Sequence, residues 1–149
     1  MSIVVVGVDA SEGAKAALTF AHEEARLRKA TLRVVHAWLF GYADCTGFEG
    51  AVPPVFGGIH ETQAAVEATL ATTLRQTLGD ADGVKIEKRA VEGTPAAVLI
   101  DESRGADLLV VGSRGHGGFA QLLLGSVSQQ CAHHAECPVV IVRAQSNGN

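Results

Sequence analysis

The sequence predicts an α/β fold in which helices cover both faces of a doubly wound parallel sheet. Four short runs are almost wholly apolar and rich in valine. Runs that do not alternate polar with apolar residues are typical of strands buried on both faces. Segments with helical spacing separate the runs, and this alternation builds a parallel sheet with right-handed crossovers. The runs are Ile3–Val8, Leu32–Trp38, Leu108–Val111 and Val139–Val142.

The remaining elements complete a β-α-β-α-β-α-β-α-β order. Val84–Ala90 alternates only in part, which predicts a strand with one wetter face or a strand at an edge of the sheet. Cap and stop signals at Ser11, Gly79 and Thr94-Pro95 help to place the helices. The helices are predicted over Ser11–Lys29, from about His60 to Leu78, from Thr94-Pro95 to about Arg104, and from near Ser126 to Ala135.

The chain of 149 residues has the size of one domain, predicted over residues 1–143 with a flexible tail at residues 144–149. The glycine- and proline-rich stretch Gly41–Ile59 fits neither period and is predicted to be a long loop. It follows the second strand at the carboxyl edge of the sheet. We expect this loop to act as a mobile cover near a ligand bound at that edge.

Composition excludes several classes of protein. Twelve Lys and Arg against sixteen Asp and Glu give a net charge of -4, whereas non-specific nucleic-acid binding needs a basic surplus. No apolar stretch approaches the roughly 18 residues that a membrane span needs. Three cysteines do not suit a secreted disulfide framework, and the first residues lack the basic region of a signal peptide. A soluble cytoplasmic protein is therefore expected, with neither nucleic acid nor membrane as partner.

The segment from Gly112 to Ser128 carries most of the chemical information. It follows a buried strand, is rich in glycine and leads into a helix. Glycines let a backbone approach a ligand closely, and the N–H groups of a helix N-terminus attract anions. Ser126 adds a hydroxyl group at the same helix start, as does Ser128. These features are typical of a phosphate-binding loop, although a glycine-rich surface loop without a ligand has a similar composition.

Spacing excludes the familiar phosphate-binding loops. A Walker A motif places a lysine directly before its serine or threonine, whereas Leu124-Gly125 precedes Ser126. A dinucleotide-binding fingerprint has three glycines after the first strand, and Val6–Asp9 contains one. The serine-glycine loop of PP-loop nucleotidyl enzymes is not reproduced by Val8–Gly13.

The spacing Gly112-x2-Gly115-x9-Gly125-Ser126 matches the G-x2-G-x9-G-[S/T] signature of the ATP-binding branch of the universal stress protein family. The resemblance implies a Rossmann-like sheet of five parallel strands in the order 3-2-1-4-5. That order places the carboxyl ends of strands 1 and 4 side by side, at a crevice where α/β sheets bind ligands. The resemblance covers Ile3–Ser11, Val34–Ala37, Ala106–Gly117, Leu124–Ser128 and Cys137–Val142.

The resemblance also implies a set of nucleotide-binding residues. Those matching Val8 and Asp9 hold the adenine and ribose end, and the residue matching Ala37 packs beside the base. A divalent ion, Mg2+ or Mn2+, is expected on the phosphates of ATP rather than on protein side chains. No catalytic residue is assigned. The ribose and phosphates are assigned to Gly112, Gly115, Gly125, Ser126, Val127 and Ser128. Val111 and Arg114 are further candidate nucleotide-binding residues, and Arg114 could reach a phosphate.

Several candidates have a simpler structural interpretation. Asp9 can cap the helix that begins near Ser11, and exposed loop residues such as Arg114 and His116 often contact nothing. His36 lies within a strand and is more simply a core or edge residue than a ligand.

A zinc site is a further alternative. Cys131-x2-His134-x2-Cys137, with His133 nearby, offers three or four candidate ligands. Closed zinc sites have four converging ligands and usually paired CxxC spacing, so small buried thiols are the simpler interpretation of Cys131 and Cys137. Cys45 lies in the long loop, and nothing around it indicates a lowered thiol pKa.

The sequence therefore predicts an ATP-binding regulatory protein of the stress response that senses nucleotide without turning it over. The loop offers no lysine clamp for developing charge. Slow ATP hydrolysis, autophosphorylation at Ser126 or Ser128, a preference for AMP or cyclic AMP, and a fold used only for protein contacts are the alternatives. A homodimer is predicted through the apolar last strand, Val139–Arg143, which is an edge in the implied order. An unidentified protein partner is also expected.

Overall fold

The computed structural model describes residues 2–9, 12–39, 62–79, 83–113 and 124–144. Every paired strand is parallel to its neighbour, and the order across the sheet is β3-β2-β1-β4-β5. The predicted α/β fold and its strand order are therefore confirmed. The elements are β1 (Ile3–Gly7), α1 (Glu12–Arg28), β2 (Thr31–Trp38), α2 (Gln63–Leu78), β3 (Ile86–Glu92), α3 (Pro95–Glu102), β4 (Leu108–Gly112), α4 (Ser126–His134) and β5 (Val139–Val142).

Helices cover both faces of the sheet, as predicted. On one face, Leu18 of α1 and Leu70 of α2 belong to a hydrophobic cluster with Val6. On the other face, Leu99 of α3 and Cys131 of α4 belong to a second cluster. Successive residues of a strand point to opposite faces. The central strands β1 and β4 therefore need apolar residues at every position, which explains their unbroken runs.

The weakly patterned strand lies at an edge of the sheet, which is one of the two predicted alternatives. β3 begins at Ile86 rather than Val84 and continues to Glu92 rather than Ala90. The shift follows from its pairing, because Ile86 lies opposite Leu32 and β3 follows β2 along its length to the end. Hydrogen bonding to a neighbour, not the local pattern, sets these bounds.

α2 is shorter than predicted at its start. It begins at Gln63 rather than near His60, which lies outside the described residues. The Thr62 side chain accepts a hydrogen bond from the Ala65 N–H at 3.1 Å and so caps the helix. None of the helices in the described part of the chain is long and apolar enough to span a membrane.

α3 and α4 are also shorter than predicted. α3 ends at Glu102 rather than near Arg104, and the chain then turns through Gly105, whose φ of +80° favours glycine. Thr94 precedes this helix without a capping side-chain hydrogen bond, so Pro95 is the start signal that the structure bears out. α4 ends at His134, one residue before the predicted end.

Some predictions fall on residues outside the described ranges. These are the long loop Gly41–Ile59 with Cys45, the cap Ser11 and the tail beyond Ala144. They also include the loop residues Arg114, Gly115 and His116. These predictions stay as they were made from the sequence.

Candidate functional site

The carboxyl ends of β1 and β4 lie side by side in the middle of the sheet. Val6 of β1 lies opposite Val110 of β4, so Asp9 and Ser113, which follow these strands, emerge at the same edge. β1 pairs with β2 on its other side, and β4 pairs with β5. The strand order thus reverses between β1 and β4, and open α/β sheets bind ligands at such a point.

Two predicted ligand residues prove to be core residues at this edge. Val8 is 6% exposed and belongs to the cluster under α1 and α2, and Val111 is 2% exposed and belongs to the cluster under α3 and α4. The Val8 N–H donates to the Val35 carbonyl oxygen at 2.9 Å. Any contact that these valines make with a ligand would therefore involve their backbone atoms rather than their side chains.

Asp9 and Ala37 lie at the same level of adjoining strands. Gly7 lies opposite Val35, and two further residues along each chain bring Asp9 and Ala37 to the edge. Both residues are half-buried, and Ala37 packs against the cluster under α3 and α4. The structure thus brings together Asp9 and Ala37, two of the three residues predicted for the base and ribose end. His36, between Val35 and Ala37, is half-buried in β2, as the simpler interpretation expects.

Trp38 ends β2 at this edge and was assigned no role from the sequence. Its indole N–H donates to Gln63 Oε1 at 2.9 Å. The Gln63 amide donates in turn to the Ala90 carbonyl oxygen at 2.8 Å and to Glu67 at 2.9 Å. These bonds join the start of α2 to the ends of β2 and β3. The signal in the sequence was a lone tryptophan at a strand end.

The start of α4 is held against the end of β4 by a single carbonyl group. The Ser113 carbonyl oxygen accepts a hydrogen bond from the Gly125 N–H at 2.6 Å and one from the Ser128 hydroxyl at 3.0 Å. The Ser113 N–H donates to the Val142 carbonyl oxygen of β5 at 2.8 Å. Ser113, which the sequence analysis missed, therefore joins β4, α4 and β5.

The N-terminus of α4 presents backbone donors at this edge. Gly125 precedes the helix, and its carbonyl accepts the first hydrogen bond within it, from the Gln129 N–H at 3.0 Å. The N–H groups of Ser126, Val127 and Ser128 therefore have no partner within the helix. Such groups, together with the positive end of the helix dipole, favour an anion.

The two serines of this first turn differ in accessibility. The Ser126 side chain is exposed, whereas Ser128 is 2% exposed. The Ser128 hydroxyl also lies 3.1 Å from the Gly125 carbonyl oxygen, so both of its acceptors belong to the protein. The geometry thus supports Ser126 as a hydroxyl ligand, but leaves Ser128 only its backbone N–H for that role.

Gly112 is required for packing as well as for the predicted ligand contact. A Cβ atom placed on it would lie 3.0 Å from both the carbonyl carbon and the carbonyl oxygen of Gly13. Gly13 belongs to the first turn of α1, and backbone atoms cannot rotate aside as a side-chain tip does. The missing side chain thus lets the end of β4 approach α1.

We expect Gly112→Ala to lower the free energy of unfolding by about 1–3 kcal/mol, and Gly112→Val to lower it further. The physical reason is overpacking against a backbone that has little room to move. Urea denaturation followed by circular dichroism measures both variants against the unmodified chain. A wild-type denaturation midpoint in either variant would show that the contact with Gly13 relaxes freely.

The thiols and imidazoles near α4 do not form a metal centre in the described ranges. Cys131 is buried and Cys137 is partly buried beside it in one hydrophobic cluster. Burial raises the pKa of the Cys131 thiol to about 11, which disfavours the thiolate that zinc binds. His133 and His134 are exposed, and no three His, Cys, Asp or Glu side chains are grouped to hold a metal ion within those ranges.

Comparison with known proteins agrees with this architecture. The sequence profile of the universal stress protein family matches residues 1–143. A universal stress protein of Mycolicibacterium smegmatis is 35% identical over 140 residues, which cover 94% of this chain and 45% of that protein. One of Mycobacterium tuberculosis is 36% identical over 140 residues, with 94% and 44% covered. The chain thus spans about half the length of the curated relatives that it matches.

Solved structures share the fold over nearly all of the chain. A universal stress protein in complex with cAMP is 29% identical, with a TM-score of 0.69 over 97% of this chain and 98% of that one. The universal stress protein UspA from Lactobacillus plantarum is 20% identical, with a TM-score of 0.71 over 95% and 97%. Since the family profile extends over residues 1–143, this chain belongs to the universal stress protein family.

Proposed function

We propose that the chain is a regulatory protein of the stress response that binds ATP at the junction of β1, β4 and α4. The observation that carries this proposal is the pair of hydrogen bonds that Ser113 accepts from Gly125 and Ser128. They hold the anion-favouring start of α4 at the edge where the strand order reverses, a position that suits a nucleotide phosphate chain.

Each part of ATP has residues suited to it. Asp9 and Ala37 lie together at the edge between β1 and β2, where the nucleoside would bind. Backbone N–H groups at Ser126 and Val127, with the exposed Ser126 hydroxyl, suit the phosphates. The backbone atoms of Val8, Val111 and Gly112 would line the bottom of the nucleotide site. Arg114 and Gly115 complete the motif in the sequence.

A divalent ion would be bound mainly by the phosphates. Among the side chains described, no group of three His, Cys, Asp or Glu residues is placed to hold a metal ion. Mg2+ or Mn2+ would therefore arrive with ATP, and it would neutralise part of the phosphate charge in the complex.

Cyclic AMP is the second candidate ligand. A family member that is 29% identical to this chain was solved in complex with cAMP. The two nucleotides share a base and a ribose, but they differ in the charge and the length of the phosphate group. Three successive backbone donors and a hydroxyl group at α4 suit a longer phosphate chain, which favours ATP over cAMP.

We further propose that ATP is bound without appreciable turnover. The segment from Gly112 to Ser128 contains no lysine, the residue that steadies the leaving phosphate in many phosphoryl-transfer enzymes. Autophosphorylation is the enzymatic alternative. Ser126 would be its acceptor, because the Ser128 hydroxyl is buried and engaged within the protein.

The proposal is tested first by identifying the nucleotide that the purified protein carries. The protein is denatured and the released nucleotide is separated by chromatography, with ATP as the expected result. ATP, AMP and cAMP are then titrated, with fluorescence of the single tryptophan, Trp38, as the signal, since it lies at the same sheet edge. We expect micromolar or tighter affinity for ATP. Turnover near 1 per second, roughly the low end of ordinary enzymes, would favour an enzyme instead.

A homodimer through β5 and a cytoplasmic location complete the proposal. β5 lies at the edge of the sheet, and its four residues are apolar, a combination that invites pairing with another strand. The location rests on composition, because three cysteines in 149 residues suit a reducing compartment.

A further inference from the structure

We infer that Ser128 is a positioning residue of the nucleotide site rather than a ligand through its hydroxyl group. Its hydroxyl and the Gly125 N–H together bind the Ser113 carbonyl oxygen, and we name this pair of hydrogen bonds the Ser113 clasp. The effect on ATP affinity rests on the proposed function. The clasp itself consists of contacts within the chain.

The Ser128 hydroxyl lies within hydrogen-bond distance of two carbonyl oxygens, one nearby in the sequence and one distant. Its oxygen lies 3.1 Å from the carbonyl oxygen of Gly125, three residues earlier, as is common for a serine in a helix. It also lies 3.0 Å from the carbonyl oxygen of Ser113, fifteen residues earlier. A hydroxyl has one proton, and here both acceptors for that proton are backbone groups at the junction of β4 and α4.

Burial makes this arrangement specific. Ser128 is 2% exposed, so water has little access to replace the hydroxyl as a donor. Loss of one partner at a buried polar group costs more than loss of a hydrogen bond at the surface. The Ser113 carbonyl would keep the Gly125 N–H as a donor, and α4 would be held by one bond of the clasp instead of two.

The clasp sets the position of the donors that would bind phosphate. The N–H groups of Ser126 and Val127 lie on the same turn as Ser128. They bind an anion well only when they are fixed relative to the rest of the site. Ser113 is fixed in turn, because its N–H donates to the Val142 carbonyl oxygen at 2.8 Å.

The test compares Ser128→Ala with Ser128→Thr, which keeps the hydroxyl, and with Ser126→Ala as the matched control. Amide hydrogen exchange at Gly125 is measured by NMR without nucleotide, and ATP affinity is measured by calorimetry. We expect Ser128→Ala to speed exchange at Gly125 and to weaken ATP binding by roughly 3- to 10-fold. Ser128→Thr should restore both quantities. Ser126→Ala should weaken ATP binding but leave exchange at Gly125 unchanged.

Other outcomes distinguish the clasp from the proposed function. Weaker ATP binding in Ser128→Ala with wild-type exchange at Gly125 would make Ser128 a direct ligand and overturn the inference. If the unmodified chain binds no ATP, the proposed function fails. Amide hydrogen exchange at Gly125 in the Ser128 variants would still show whether the Ser128 hydroxyl stabilises the clasp. If Ser128→Thr does not fold, Ser128→Cys provides a weaker donor of similar size, and exchange between that of the wild type and Ser128→Ala supports the clasp. Exchange in Ser128→Cys equal to the wild type would count against it.

Discussion

Gly125→Val is expected to abolish ATP binding and to leave the fold intact. Gly125 has φ of −82° and ψ of 175°, an extended conformation that valine also adopts. The backbone therefore does not require glycine here, and its N–H can still donate to Ser113. Gly125 directly precedes the N–H groups of α4 that would bind the phosphates, so a branched side chain there should hinder the approach of the phosphates.

Calorimetric titration with ATP and thermal unfolding followed by circular dichroism test this expectation together. Ser126→Ala is the graded control, because it removes one hydroxyl group and should cost roughly 1 kcal/mol of binding free energy. Unchanged ATP affinity in Gly125→Val would remove the assignment of the phosphate site to α4. Loss of the fold in this variant would contradict the claim that the backbone tolerates a side chain there.

The central strands were predictable because their environment is uniform along each strand. β1 and β4 are covered by helices on both faces, so the burial of successive interior residues is visible in the sequence itself as an unbroken apolar run. The bounds of β3 were less predictable, since they depend on which residues of β2 it pairs with. A pattern along one strand holds no information about its neighbour.

The meeting of β1, β4 and α4 at the candidate site was predictable from the sequence, but the separate contacts of its residues were not. The motif located the start of α4 correctly at Ser126, because glycine and serine are local signals of a helix start. The contact between Ser113 and Ser128 is a hydrogen bond across fifteen residues, and neither this contact nor the burial of Ser128 is visible in the local sequence. Val111 is a further example. The motif match named it as a ligand residue, but its side chain lies in the core. A motif match does not distinguish a side-chain contact from a backbone contact.

The two edges of the sheet differ in a way that bears on assembly. β3 carries the charged run Glu87, Lys88 and Arg89. Glu87 accepts a hydrogen bond from Arg33 at 2.9 Å, and Arg89 donates two to Glu102 at 2.9 and 3.0 Å. Charged side chains on an edge strand oppose pairing with another sheet. β5, at the other edge, has four apolar residues and no charge.

Backbone direction identifies the groups of β5 that are open to a partner. The carbonyl oxygens of Pro138 and Val142 accept hydrogen bonds from β4, at Leu109 and Ser113. Backbone groups two residues apart in a strand point the same way. Val140 therefore also faces β4, and Ile141 directs its N–H and carbonyl groups toward the free edge.

Ile141→Pro is accordingly expected to convert the proposed homodimer into a monomer with a preserved fold. Proline removes the outward N–H, and an edge strand tolerates that loss within its own sheet. Ile141→Lys should act in the same direction by adding a charge beside the edge. Because Ile141 packs partly against the cluster under α3 and α4, this variant should also lower the stability of the fold. Light scattering at micromolar concentration measures the mass, and circular dichroism checks the fold.

Val140→Pro and Lys88→Ala are the controls for this experiment. Val140→Pro removes an N–H that faces β4, so its main effect should be lower stability of the fold rather than selective loss of the dimer. Lys88→Ala changes the opposite edge and should leave the mass unchanged. A monomeric wild-type protein, or a dimer that persists in both Ile141 variants, would contradict pairing through β5. Of the two edge strands, only β5 lacks charged residues, so dissociation confined to the Ile141 variants would assign the interface to this edge.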